Sequence, residues 1–220
     1  MGVVIINFKA YKEGFGLNGL KLAKAIESVA DKVDDYIAIA PTSLDLQKFA
    51  NELSIDVYSQ HVDAVDFGSH TGRINAEMIK EMGIKGSLIN HSERRLRLAD
   101  IDFIVEKFRD LDLISIVCTN NVATTAAAAA LQPDYVAIEP PELIGSGIPV
   151  SKAEPEIVEN SVKAAKDVYP EIKVLCGAGI SKNEDYVTAL DLGADGVLLA
   201  SGVVKAKDPK AALEELVGLR

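Results

Sequence analysis

A chain of 220 residues that is 48% hydrophobic can bury one large core, and α/β barrels commonly run this length as a single domain. Its 33 acidic and 23 basic residues leave a net charge of −10 and a pI near 4.8, which argues against nucleic acid, whose binding calls for a basic face. No apolar run reaches the roughly 18 residues of a spanning helix.

The opening MGVVIINFKAYKEG enters a strand without a basic leader, and Ile at position 6 denies it a myristoylation signal, so a cytoplasmic, membrane-free protein is expected. Strand-like runs follow at Val3–Phe8, Tyr36–Ala40, Asp56–Ser59, Gly86–Asn90, Leu113–Cys118, Asp134–Glu139, Lys173–Cys176 and Gly196–Leu199. Between them lie segments of helical period at Leu17–Ala30, Leu44–Glu52, Asn75–Met82, Ile101–Asp110, Val122–Leu131, Pro155–Val168, Asn183–Leu192 and Pro209–Leu219. Alternation of this kind predicts an α/β (β/α)8 barrel, with residues 1–220 as a single domain. The strands read as continuous apolar runs because both their faces are covered. A doubly wound open sheet is the competitor, but it wants a Gly-rich first turn where this chain has NFKAYKEG. Cys118 and Cys176 both end apolar strand runs and are expected as buried, reduced thiols.

In a barrel every loop after a strand gathers on one face, so the strand ends can be read together. Strand one ends in Asn7–Phe8–Lys9; if the chain stays extended, an amide and an ammonium share one side. Taken alone, Lys9 reads equally as a surface lysine. Strand four ends in NHSERR, where Ser92 reads as a helix cap that would set His91 over a helix N-terminus. The dipole there would keep the imidazole neutral and able to donate a hydrogen bond. The plain alternative is a structural histidine.

Strand six delivers Glu139 into the loop Glu139–Ser151. Prolines stiffen one end of that loop and glycines free the other, as in a lid that swings over a base. An ordinary turn is the simpler reading. Strands seven and eight end in CGAGIS and LLASGVV, whose small residues let backbone N–H groups approach an anion, with a helix start behind strand eight. An anionic ligand of so acidic a chain must be met by such local devices. The stretch His61–Arg73 is long for a βα loop, which points to function or to an interface.

These segments, NFK, GSHTG, NHSERR, EPPELIGSG, GAGIS and GADGVLLASGVVKA, resemble the triose-phosphate isomerase family in order and spacing over nearly the full length, its short archaeal form above all. The resemblance implies an isomerase that interconverts D-glyceraldehyde 3-phosphate and dihydroxyacetone phosphate through an enediolate, in glycolysis and gluconeogenesis, with no metal and no cofactor. It implies Glu139 as general base and His91 as neutral electrophile, a pairing known for this family. It further implies Lys9 and Asn7 in substrate binding and enediolate stabilisation. Backbone N–H groups of Ile144, Gly179, Ala200 and Ser201 would hold the phosphate, and Glu93 would be a buried carboxylate organising Lys9.

By the same resemblance, Thr71 at the tip of GSHTG reaches a neighbouring subunit's site, and a homotetramer built as a dimer of dimers is expected. Two departures stand out. The lid hinge is Pro140–Pro141–Glu142 in a chain without Trp, a substitution shared with the archaeal form, and Ala200–Ser201 replaces two glycines of longer members. Other barrel chemistries remain: a metal epimerase, for which the chain offers only His61, His70 and His91, a Schiff-base aldolase, for which Lys9 is the one near candidate, and a non-catalytic phosphometabolite binder.

Overall fold

The computed structural model describes residues 2–140 and 149–219. The apolar runs form eight strands: β1 (Val3–Asn7), β2 (Tyr36–Ala40), β3 (Tyr58–Ser59), β4 (Gly86–Ile89), β5 (Ile114–Thr119), β6 (Tyr135–Ile138), β7 (Lys173–Cys176) and β8 (Gly196–Leu199). All named pairings are parallel, in the order β2-β1-β8-β7-β6-β5-β4-β3. The ring closes between β2 and β3 through one parallel bridge, Ile39–Val57, and the Ile39 N–H donated to Asp56 O at 3.2 Å. The strand expected from Asp56 therefore narrows to two residues. Asp56 bonds towards β2 and Val57 towards Lys85 before β4, so no continuous ladder runs through them.

Along each strand alternate residues point to opposite faces, and the two faces bury separate apolar sets. Ile5, Ala38, Leu88, Ile116, Cys118, Ala137, Leu175 and Leu198 fill the barrel interior. Val4, Ile6, Ile39, Val117, Ile138, Val174 and Val197 pack outwards against the helices. Tyr58, with Tyr36 and Tyr135 packed against the interior set, fills the end where the strands begin; the Tyr36 hydroxyl donates to Asp56 Oδ2 at 2.6 Å and lies 2.9 Å from the Tyr58 hydroxyl. Since that end is filled by side chains, the open end is the one where the strands finish.

The helices are α1 (Gly16–Ala30), α2 (Leu46–Glu52), α3 (Ala76–Glu81), α4 (Leu98–Asp110), α5 (Val122–Ala129), α6 (Val150–Ala153), α7 (Pro155–Val168), α8 (Asn183–Asp191), α9 (Ser201–Val204) and α10 (Pro209–Leu216). Their starts follow the sequence chemistry. Asn75, Asn121 and Asp208 each accept a first-turn N–H (from Met78, Thr124 and Ala211), and Pro155 and Pro209 occupy first-turn positions where no donor is missed. Two short helices were not expected, the 3-10 turn Lys12–Gly14 and α6, whereas α9 gives the helix start expected behind strand eight. Among the described residues no helix is long and apolar enough to cross a membrane.

Candidate active site

The strand ends converge on a cavity of about 190 Å³ whose walls include Asn7, Lys9, Glu139, Gly179, Ala200 and Ser201. Of the side chains and backbone segments expected from the sequence, these six meet in one pocket. His91 does not border that cavity but, with Asn7 and Lys9, an adjoining one of about 320 Å³ under Gln60, His61 and Glu93.

Lys9 is not extended. Its φ is +49°, left-handed for a residue with a Cβ, and its N–H donates to Asn7 Oδ1 at 2.9 Å. Asn7 and Lys9 therefore meet by a local turn, not by the strand alternation expected. Phe8 between them is fully buried against Phe49, at 6.4 Å between ring centroids and near-perpendicular, and its N–H donates to Ala40 O. The Lys9 ammonium pairs with Glu93 Oε1 at 2.8 Å. Glu93 itself, expected buried, has 58% of its side chain exposed, because it sits in the turn after β4 at the outer edge of the cavity.

A second expectation is corrected at His91. No helix begins at Ser92: residues 91–94 form a turn closed by the Arg94 N–H on His91 O at 2.8 Å, and α4 starts only at Leu98. Asn90, with φ +61°, a conformation Asn tolerates better than most residues, shapes this turn. Its side chain donates to Cys118 O and accepts the Leu96 N–H, each at 2.9 Å. What orients the imidazole is the backbone N–H of Glu93, which donates to His91 Nδ1 at 3.2 Å. A nitrogen that accepts carries no proton, so the ring's hydrogen is on Nε2.

That Nε2 lies 3.4 Å from Glu139 Oε2. Both atoms are buried, and neither has a hydrogen-bond partner among the described residues. Unpaired buried polar atoms are costly, so two of them facing each other, Glu139 at one cavity and His91 at the adjoining one, mark a place built for a third group. Glu139 is held by its own N–H on Thr119 O at 2.9 Å, and its carboxylate lies near the Cys118 thiol. Burial first, and the Glu139 carboxylate next, push the Cys118 thiol well up, so it remains a donor; burial pushes Cys176 up to about 12. Both cysteines are buried and unpaired.

At the far side of the pocket Gly179 has φ +78°, and α9 begins at Ser201 with Ala200 as its cap residue. Helix starts leave backbone N–H groups unpaired, and here they border the pocket. Tyr11 completes that wall, with the Lys205 ammonium 3.9 Å from its ring centroid. Neither was anticipated, nor was Gln60, although its place directly after a strand was a signal. Ile144 and the lid residues 141–148 lie outside the described residues. Thr71 is at the exposed tip of the 61–73 loop and does not border its own chain's pocket. Among the described residues no three His, Cys, Asp or Glu side chains are placed to hold a metal ion.

Eight parallel strands with an acid, an imidazole and an ammonium at their carboxyl ends define a (β/α)8-barrel enzyme. A crystal structure of triosephosphate isomerase from Bartonella henselae shares this fold, with a TM-score of 0.78 over 97% of this chain and 98% of that one, at 20% identity. The family model for triosephosphate isomerase matches residues 2–217. The triosephosphate isomerase of Archaeoglobus fulgidus is 74% identical over 219 residues, covering 100% of this chain and 98% of that protein. That of Methanothermus fervidus is 58% identical over 215 residues, covering 98% and 97%. The chain belongs to the triosephosphate isomerase family, and is by that membership an isomerase.

Proposed function

We propose that this chain interconverts D-glyceraldehyde 3-phosphate and dihydroxyacetone phosphate by proton transfer alone, with Glu139 as the base and His91 as the electrophile. The observation that carries the reading is the pair of unpartnered buried atoms, His91 Nε2 and Glu139 Oε2, 3.4 Å apart, Glu139 bordering one cavity and His91 the adjoining one. Glu139 takes a proton from the carbon next to the carbonyl, and the electron pair moves onto the carbonyl oxygen as that carbon–carbon bond becomes an enediolate. The Nε2–H of His91 and the Lys9 ammonium, with Asn7 beside it, meet the negative charge growing on oxygen. His91 gives its Nε2 proton to that oxygen and takes the proton of the neighbouring hydroxyl, and Glu139 returns its own proton to the other carbon, so that the carbonyl forms where the hydroxyl was. Glu93 steadies the ammonium through its 2.8 Å contact.

The phosphate is held by backbone N–H groups of Gly179, Ala200 and Ser201, and of Ile144 on the lid. Backbone donors suit a chain of net charge −10, because they attract an anion locally whatever the overall field. The whole chain acts as one catalytic domain in the cytoplasm and assembles as a dimer of dimers, Thr71 of one copy entering the cavity beside Lys9 of the next. The exposed 66–73 tip and the 320 Å³ cavity under Gln60 support that assembly.

The test is isomerisation by purified protein in the presence of a chelator, with Glu139→Gln alongside. Fast turnover that falls by about 100- to 10,000-fold in the variant is expected. Turnover unchanged in the variant would remove Glu139 from its role, and none in the intact protein would move the function to another phosphorylated ligand.

A further inference from the structure

The geometry points to Gln60 as a positioning residue for Lys9. This rests on the reading of Lys9 as the cation that meets the enediolate.

The starting point is the seam of the barrel. β2 and β3 share only the Ile39–Val57 bridge, and beyond it the carboxyl ends of β1 and β2 would have nothing on the β3 side to hold them. Gln60, the residue directly after β3, supplies that hold with its side chain: Nε2 donates to Ala40 O at 2.9 Å, the last residue of β2, and to Lys9 O at 3.1 Å, just past β1. Two carbonyls on one amide nitrogen fix the orientation of the amide. Turned over, it would set its own oxygen against both of theirs.

Lys9 needs such a hold. Its left-handed backbone is disfavoured for a residue with a Cβ, and it persists only where its surroundings determine it. Here the Lys9 N–H is taken by Asn7 Oδ1 and the Lys9 C=O by Gln60 Nε2, so both peptide groups flanking the residue are held by side chains. The direction of the Cα–Cβ bond, and with it the place of an ammonium at the end of a four-carbon stem, follows from that clamp. Asn7 is part of the site, but Gln60 lies behind Lys9 and need touch no substrate. It is half-buried and borders the adjoining cavity with Asn7, Lys9 and His91.

The experiment is a double-mutant cycle with Gln60→Met, which keeps length and loses the donor, and Lys9→Met, read as kcat/KM for isomerisation. A crystal structure of Gln60→Met accompanies it. Gln60→Met is expected to lower kcat/KM by about 10- to 100-fold, the scale of a misplacement near 1 Å, and to cost nothing further once Lys9 is Met. In the crystal, Lys9 is expected to leave the left-handed region. An equal loss in both backgrounds, no loss at all, or a Lys9 that keeps its positive φ and its Glu93 contact would each overturn the proposal. If Gln60→Met does not fold, Gln60→Asn, too short to reach both carbonyls, goes through the same cycle and crystal structure with the same outcomes. The crystal structure judges the clamp whatever the reaction. Absence of isomerisation by the unaltered protein would count against the functional reading, not against the clamp.

Discussion

Glu139 has room to stand over its pocket because residue 177 has no side chain. A Cβ on Gly177 would lie 3.1 Å from Glu139 Cγ, 3.2 Å from Glu139 Oε1 and 2.7 Å from Leu198 O. Two of these contacts press on the Glu139 side chain, one of them on its carboxylate, and the third on backbone that cannot yield. Gly177→Ala is therefore expected to displace the carboxylate and lower kcat by at least about tenfold, since catalytic geometry tolerates errors well under 1 Å. Steady-state kinetics with the melting temperature measured alongside check this; a variant of unchanged kcat would show that the carboxylate does not depend on the space above Gly177.

His91 is held in one tautomer by a backbone donor. Because the Glu93 N–H points at Nδ1, the ring proton is expected on Nε2, which 15N shifts of the two ring nitrogens would show directly. Finding the proton on Nδ1 would contradict the geometry. His91→Asn, which shortens the donor out of reach, is expected to cost about 100- to 1,000-fold in kcat, the usual loss for one oxyanion donor.

The 61–73 loop is clasped at its base by Asp63. Burial works to raise this carboxyl. The Ile74 N–H at 2.9 Å, Arg73 at 2.6 Å and His61 outweigh it and bring it from 3.8 to about 2. A carboxyl lowered in the folded state stabilises fully above pH 3.8, and that contribution disappears as pH falls through about 2; at neutral pH it amounts to about 2 kcal/mol. Beside it, burial holds His61 below its ordinary 6.5, so its contribution is also present at higher pH and is lost on acidification. Asp63→Asn is expected to lower the melting temperature by about 5 °C at pH 7. The gap should close as pH approaches 2; a gap independent of pH would sink the clasp.

Thr71 is exposed at the tip of that loop. A bulky charge there should disturb a neighbouring copy and leave its own chain's pocket alone. Thr71→Arg is accordingly expected to reduce both the oligomer mass in light scattering and kcat/KM, with the fold intact by circular dichroism. An unaltered oligomer of full activity would refute the interlocking role.

Much of this architecture was legible in the order of residues. Eight apolar runs alternating with helical segments define the barrel. Because the strands are parallel, Asn7, Lys9, His91 and Glu139 must then arrive at one face whatever the details of packing. The caps were not read: Asn75, Asn121 and Asp208 cap helices within three residues of themselves, whereas Ser92, the one cap expected, begins no helix.

Only the tertiary structure decided how those side chains are held. The imidazole is set by a turn where a helix start was expected, and Glu93 is exposed where a buried carboxylate was expected. Lys9 reaches the pocket through a left-handed residue, not through strand alternation, and its carbonyl is held by Gln60, 51 positions away. The thiol near Glu139 comes from β5, and the space over residue 177 is bounded by β8. Periodicity and motif report what each segment does with itself, whereas these placements arise from hydrogen bonds and steric limits between segments that meet only when the ring closes.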